Sequence, residues 1–252
     1  MRFDILTIFP GLFSSFLSHG ILGRSIERGL IDIRLVNIRD FTDDPHRSTD
    51  DKPYGGGAGM VMTPGPVFRA LDAVKRESEN SSVILLSPQG KRFDQSLAWK
   101  LAGFDQLILI CGRYEGVDER IRLGYADMEI SIGDYILNGG ETGAMVIIEA
   151  VSRLVPGVLG TDKSSKEDTF ENGLLKYPQY TRPKVFNGMH VPDVLLSGDH
   201  ERIRIWRRTE SIKKTCRNRP DLIKKADLTK EDLLILKRQK DLASVLDADK
   251  ND

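Results

Sequence analysis

The chain has 252 residues, with 37 Lys+Arg balancing 37 Asp+Glu, 40% hydrophobic and 29% charged residues. That length supports one or two domains with a sizeable core, and the ordinary apolar content excludes wholesale disorder. No apolar run approaches the ~20 residues of a membrane helix. Asp4 stands where a signal peptide would begin its apolar stretch, and Cys111 and Cys216 do not make a disulfide framework, so a reduced, cytoplasmic protein without membrane contact is expected.

The neutral total is unevenly spread. Residues 176–252 carry 18 basic and 12 acidic side chains, leaving 19 and 25 in the first 175. Within Glu201–Lys225 the ratio is 10 to 3. Such a cluster marks either a polyanion-binding module or a solvated helix face, and charge alone leaves both open.

In chain order, Arg2–Phe9 reads as a buried strand stopped by Pro10-Gly11. Leu12–His19 and Arg24–Gly29 read as short helices, and Ile31–Ile38 as a second strand. Arg39–Met62 is a long polar loop containing Tyr54-Gly55-Gly56-Gly57-Ala58-Gly59-Met60, of a kind that is usually functional or mobile. It fits neither the dinucleotide fingerprint nor a Walker loop. Val67, Leu71 and Val74 give Pro66–Glu79 helical spacing. Strands Ser82–Leu86, Asp105–Cys111 and Asp127–Ile132 then alternate with helices over Asp94–Ala102, Val117–Leu123 and Glu141–Val155. This repetition predicts an α/β domain with a parallel sheet covered on both faces. The polar stretch Pro156–Gly173 reads as an interdomain linker. Asp199–Cys216, Pro220–Lys225 and Thr229–Ala248 read as helices of a small second domain.

Three of the strands are followed by glycine-bearing loops: Ser87–Gly90, Gly112–Gly116 and Gly133–Gly140. Ligands of open α/β sheets bind beyond the carboxyl ends of the strands, so these loops should meet at one small-molecule pocket. The four histidines have no metal-ligand spacing, and no Gly-x-Ser-x-Gly nucleophile is present. Arg153, near the end of an apolar helix, either neutralises helix carbonyls or faces a bound anion. The residues by themselves lead as far as a small-molecule-binding α/β domain tethered to a basic helical one.

Taken together, the motifs resemble the bacterial tRNA (guanine-37-N1)-methyltransferases of the trefoil-knotted SPOUT superfamily. The resemblance begins at Phe3–Pro10 and runs through Asp51–Met60, Ser87–Gly90, Cys111–Gly116 and Ser131–Tyr135 to Arg153–Val158 and Tyr177–Pro183. It implies a deep trefoil knot threaded through roughly Leu85–Gly140. The implied division is a methyltransferase domain over 1–160, a flexible linker over 161–175 and an all-helical tRNA-binding domain over 176–252. It also implies an obligate homodimer with a shared active site.

The same resemblance makes the three loops an S-adenosyl-L-methionine pocket. Leu86, Pro88, Gln89 and Gly90 would border one edge, and Gly112, Tyr114, Glu115 and Gly116 a second wall. Ile132, Gly133, Asp134, Tyr135, Ile136 and Leu137, with Gly139 and Gly140, would wrap the adenosine. Guanine N1 carries a proton near neutral pH, so transfer to it needs a base. By resemblance that base is Asp168, which would otherwise read as one more linker acid, and Arg153 would stabilise charge developing on the guanine O6 or hold the nucleotide phosphate. The basic helices then read as contacts to phosphates of the anticodon stem-loop, with a guanosine preferred before the target. Magnesium is associated with the family, but Lys176 stands where many relatives carry an acid, so the metal ligands stay unassigned. Two further readings stay open: a related knotted enzyme with another RNA target, and a non-catalytic RNA- or nucleotide-binding protein.

Overall fold

The structure is a computed structural model that describes residues 1–74, 78–160, 169–170, 173–224 and 226–238. The chain divides into two compact units, Met1–Asp162 and Lys163–Asp252.

The first unit is built on five parallel strands: β1 (Arg2–Thr7), β2 (Asp32–Asn37), β5 (Ser81–Arg92), β6 (Gln106–Cys111) and β7 (Met128–Ser131). Their order is β2-β1-β6-β5-β7. Strands β1 and β6 are buried along their whole length: β6 is apolar from Leu107 to Cys111, and the buried Asp4 of β1 is satisfied by Arg2 at 2.7 Å and Gln106 at 2.8 Å. Alternation along each strand sorts the side chains onto two faces. Phe3, Ile5, Ile84, Leu107 and Leu109 pack on one face with helices α2 (Gly20–Glu27), α4 (Gln95–Ala102) and α6 (Glu141–Ser152). Leu6, Val83, Leu85, Ile108 and Ile110 pack on the other with α3 (Pro64–Val74) and α5 (Glu119–Tyr125).

Several boundaries differ from the sequence expectation. Pro10–Phe13 is a 3-10 turn leading into the short helix α1 (Ser14–Ser18), because Pro10 fits the first turn of a helix better than it ends a strand. The long loop holds a small antiparallel pair, β3 (Asp50–Asp51) with β4 (Val61–Met62). The largest difference lies in β5, which does not end at Leu86. Leu86 and Lys91 both pair with Ile130, so residues 87–90 bulge out and the strand resumes to Arg92. Gly90 makes this possible, since any Cβ there would overlap the Glu129–Ile130 peptide of β7.

The second unit is not all-helical as expected: β8 (Val185–Phe186) and β9 (Met189–His190), joined by a turn at Asn187-Gly188, form a hairpin, followed by helices α7 (His200–Asn218), α8 (Pro220–Ile223) and α9 (Lys230–Arg238). Leu174, Ile212, Cys216, Ile223 and Leu236 make its small core. Asp199 caps α7 by accepting from the Arg202 N–H at 3.0 Å. Thr229 and Asp232 cap α9 reciprocally: the Asp232 carboxylate accepts from the Thr229 N–H at 2.8 Å, and the Thr229 hydroxyl accepts from the Asp232 N–H at 3.2 Å. The expected continuation of this helix to Ala248 lies outside the described residues, as does most of the expected linker.

The Asp232 carboxylate is buried and takes a two-pronged bond from Arg208, both contacts at 2.7 Å. Burial raises its pKa, but the hydrogen bonds from Arg208 and Thr229 outweigh this and hold it at about 2. A carboxyl depressed in the folded state stabilises above its unfolded pKa of about 4 and loses that contribution as pH falls toward 2. Asp232→Asn should therefore destabilise this unit by on the order of 3 kcal/mol at pH 7, and by clearly less at pH 3. Urea unfolding followed by Trp206 fluorescence in a Trp99→Phe background measures both, and an equal loss at the two pH values would contradict the assignment.

Candidate active site

The loops after β6 and β7 and the bulge within β5 meet at the carboxyl ends of their strands, around a cleft of about 480 Å³. Leu86, Pro88 and Gln89 line it from the bulge, and Gly112, Tyr114, Glu115 and Gly116 from the second loop. Ile132, Gly133, Tyr135, Ile136, Leu137, Gly139 and Gly140 line it from the third. Two expected wall residues do not. Gly90 serves the close approach of β5 to β7, and Asp134 is exposed outside the lining.

A buried carboxylate holds the cleft's base. Glu141, at the start of α6, accepts a hydrogen bond from the Thr7 hydroxyl at 2.7 Å and one from Arg113 Nε at 2.9 Å. The Arg113 guanidinium also lies 4.6 Å above the Phe9 ring. Alongside, the Gly140 N–H donates to the Gly112 carbonyl at 2.8 Å. A Cβ on Gly140 would sit 2.8 Å from Cys111 Cα and 3.0 Å from Leu86 Cβ, so only glycine lets α6 begin this close to β5 and β6. Cys111 itself is no nucleophile: burial, aided by the nearby Glu141 charge, pushes its thiol well above the ordinary value.

The glycine-rich loop before β4 is tied to the same place. Met62 N–H donates to Gly116 O at 2.9 Å, Glu115 N–H to Met60 O at 2.9 Å and Asp118 N–H to Met62 O at 3.0 Å. Glu115's side chain lies where a Cβ on Gly59 would be, 2.6 Å from Glu115 Cγ. Sequence reading singled out this loop but did not connect it to the pocket, and it missed Thr7, Arg113 and Glu141 altogether. The strand-end rule reaches Thr7, the last residue of β1. Nothing in Glu141's neighbourhood distinguishes it from an ordinary first-turn acid.

The cleft's chemistry suits a flat, partly apolar cation. Ile136 is 82% exposed, and Tyr135, Leu137 and Tyr114 are also exposed around it, presenting apolar surface next to open backbone. Tyr114 holds a left-handed backbone (φ 62°), a conformation that costs a non-glycine residue energy and recurs at functional sites. Glu115 is an exposed carboxylate on the wall. Glycine walls, apolar surface and the exposed Glu115 carboxylate fit the adenosine and sulfonium of S-adenosylmethionine. Among the described residues no group of three His, Cys, Asp or Glu side chains is poised to hold a metal.

Of the two expected catalytic residues, only Arg153 is among those described. Asp168 lies outside the described residues. Arg153 is half-buried at the C-cap of α6, whose other end forms the cleft. Twelve helical residues separate the two, a span of ~18 Å.

If the Glu141 network holds the cleft, Glu141→Ala should cost on the order of 3 kcal/mol, because Arg113 loses a buried partner. Glu119→Ala, which removes an exposed pair with Arg122 at the cleft's edge, should stay within about 1 kcal/mol. Thermal unfolding of both variants provides the check, and a smaller loss at Glu141 than at Glu119 would contradict the network's role.

Residues 1–225 match the sequence model of the family described as tRNA (Guanine-1)-methyltransferase TrmD. A tRNA (guanine-N(1)-)-methyltransferase of Dictyoglomus turgidum is 56% identical over 240 residues, covering 95% of this chain and 97% of its own. Those of Geobacillus kaustophilus and Geobacter sulfurreducens are 56% and 52% identical, covering 91% and 95% of this chain and 94% and 99% of their own. Among the described residues no helix is long and apolar enough to cross a membrane. With motif, cleft and near full-length similarity in agreement, the chain belongs to the tRNA (guanine-1)-methyltransferase family.

Proposed function

We propose that this protein transfers a methyl group from S-adenosyl-L-methionine to N1 of guanosine 37, just 3′ of the anticodon of tRNA, as a cytoplasmic homodimer. The observation that carries this reading is the convergence of the family's three glycine loops on one cleft, in a chain so closely similar to tRNA (guanine-N(1)-)-methyltransferases.

When bound, the donor supplies an electrophilic methyl on its sulfonium. The exposed apolar residues Ile136 and Leu137 would cover the adenosine, and Glu115 would face the positive charge. Asp168 is the proposed base: its carboxylate accepts the N1 proton, freeing the lone pair that attacks the methyl. Arg153 stabilises the charge that develops on O6. Because Arg153 sits a helix length from the cleft of its own chain, the partner's Arg153 would complete each site, which is the reason for a dimer. No step is assigned to magnesium.

The knot belongs to the same proposal. Its support is the packing of Gly140 against Cys111 and Leu86, with the Gly140 N–H bonded to Gly112, which fits a chain drawn through a loop formed earlier in the sequence. The helical unit, taken from residue 176 onward, is the proposed tRNA-binding domain. On α7, Arg202, Lys214 and Arg217 are exposed, and among the described residues no carboxylate pairs with them. They are the proposed phosphate contacts for the anticodon stem-loop. The segment around Asp168 would complete the site when tRNA binds, with a guanosine preferred before the target.

Incubation with labelled donor and a tRNA anticodon stem-loop, followed by mapping of the methyl, tests the reaction. The expected product is 1-methylguanosine at position 37, and a methyl on ribose or on another base position would overturn the assignment. Asp168→Ala should abolish turnover while calorimetry shows unchanged donor affinity. Retained turnover would remove Asp168 from the mechanism.

A further inference from the structure

Beyond the donor cleft, the helical unit contains a pocket of about 380 Å³, between the Tyr177–Lys184 segment and α7. We propose that this pocket takes one unstacked nucleotide of the bound RNA, its base on the tyrosine rings and its phosphate on the surrounding cations. This rests on the proposed tRNA-binding role of the unit and adds a specific base-binding point to it.

The lining carries three cations, Arg182, Lys184 and Arg207, and no carboxylate. Elsewhere in this unit several arginines are tied down by carboxylates. Arg204 pairs with Glu201 and Glu231, Arg208 with Asp232, and Arg219 with Asp221. Among the described residues no carboxylate engages Arg182, Lys184 or Arg207, so their charge is left for an anion. Arg207 is held instead by a ring, its guanidinium 4.9 Å above Tyr177. Such a contact fixes a guanidinium's position without neutralising it.

The rest of the lining would be wasted on a simple anion. Leu195 and Ile203 give the pocket an apolar floor. Tyr180 is set by a tilted contact with Trp206, centroids 6.3 Å apart, and still leaves 49% of its surface exposed. Fixed rings with open surface beside uncommitted cations make a stacking platform with an electrostatic rim, the combination that holds single-stranded nucleic acid. The volume lies at the small end of ligand pockets, suited to one nucleotide rather than to a folded element.

The test uses the full-length protein and an anticodon stem-loop carrying a single abasic substitution at each unpaired position in turn. One such substitution should weaken binding to the wild-type protein by roughly 5- to 150-fold, the range for one stacked base. The same substitution should cost almost nothing in Tyr177→Ala, while Tyr177→Phe should behave as wild type. Should Tyr177→Ala fail to fold, Arg207→Gln carries the test. It should lower RNA affinity and reduce the slope of log affinity against log salt by about 1, whereas Arg204→Gln should leave the slope unchanged. Wild-type binding that no abasic position weakens, or an Arg207→Gln slope equal to wild type, would overturn the nucleotide pocket while leaving the methyltransferase reading intact. An Arg207→Gln effect on oligomeric state without one on RNA affinity would make the pocket a contact between copies and overturn it as well. Absence of any RNA binding by the wild-type protein would overturn both readings.

Discussion

The cleft depends on one buried charge. Glu141 lies at the start of α6, with its side chain 2% exposed, and an unpaired carboxylate there would be costly. Thr7 satisfies one oxygen and Arg113 the other, so the end of β1, the loop after β6 and the start of α6 must meet at a single point. Gly140 then lies flush against Cys111, and the walls on either side inherit their spacing from this junction. A second anchor, the Met60–Met62 backbone bonded to Glu115, Gly116 and Asp118, brings the glycine-rich loop to the cleft's edge. A polar network at the carboxyl end of the sheet thus fixes where the small molecule can sit.

Much of this framework was legible in the sequence, and the reasons are physical. A parallel strand covered on both faces is mostly apolar, so the run Leu107–Cys111 is recognisable, and glycines clustered after strands mark the loops that become cleft walls. What stayed hidden depends on tertiary pairing. The bulge at residues 87–90 exists because β5 finds Ile130 twice along its length, which no local pattern records. The two-residue strands β3, β4, β8 and β9 are too short to carry a period. Glu141 looked like any first-turn acid, because its importance lies in Thr7 and Arg113, 134 and 28 residues away. Asp168 stands out only through family resemblance, and for Arg153 the residues alone leave a helix-end role and an anion-facing role open. Asp168 falls outside the described residues, and Arg153 stands away from the cleft of its own chain.

The charge balance gains meaning from the same comparison. A count of 37 against 37 hides which charges are committed. In the helical unit Arg204, Arg208 and Arg219 are used internally, so they contribute to fold rather than to binding. Among the described residues no carboxylate pairs with Arg182, Lys184, Arg202, Arg207, Lys214 or Arg217, so only part of the basic excess in Glu201–Lys225 is left for a ligand. These cations sit along the side of α7 away from its Ser211, Ile212, Thr215 and Cys216 core face and on the segment beside it. Selectivity for a polyanion then comes from which cations lack partners, not from net charge.

In the proposed shared site, the cleft of one subunit works with Arg153 of the partner subunit. Subunit mixing tests it most directly. Gly112→Leu, which fills the cleft of its own chain, and Arg153→Ala, which leaves the cleft open, should each be inactive as homodimers. After co-refolding in equal amounts, half of the dimers are mixed and each has one complete site, so about one quarter of wild-type methylation should return. No recovery above the two parent homodimers, with mixed dimers verified by mass, would contradict the shared site.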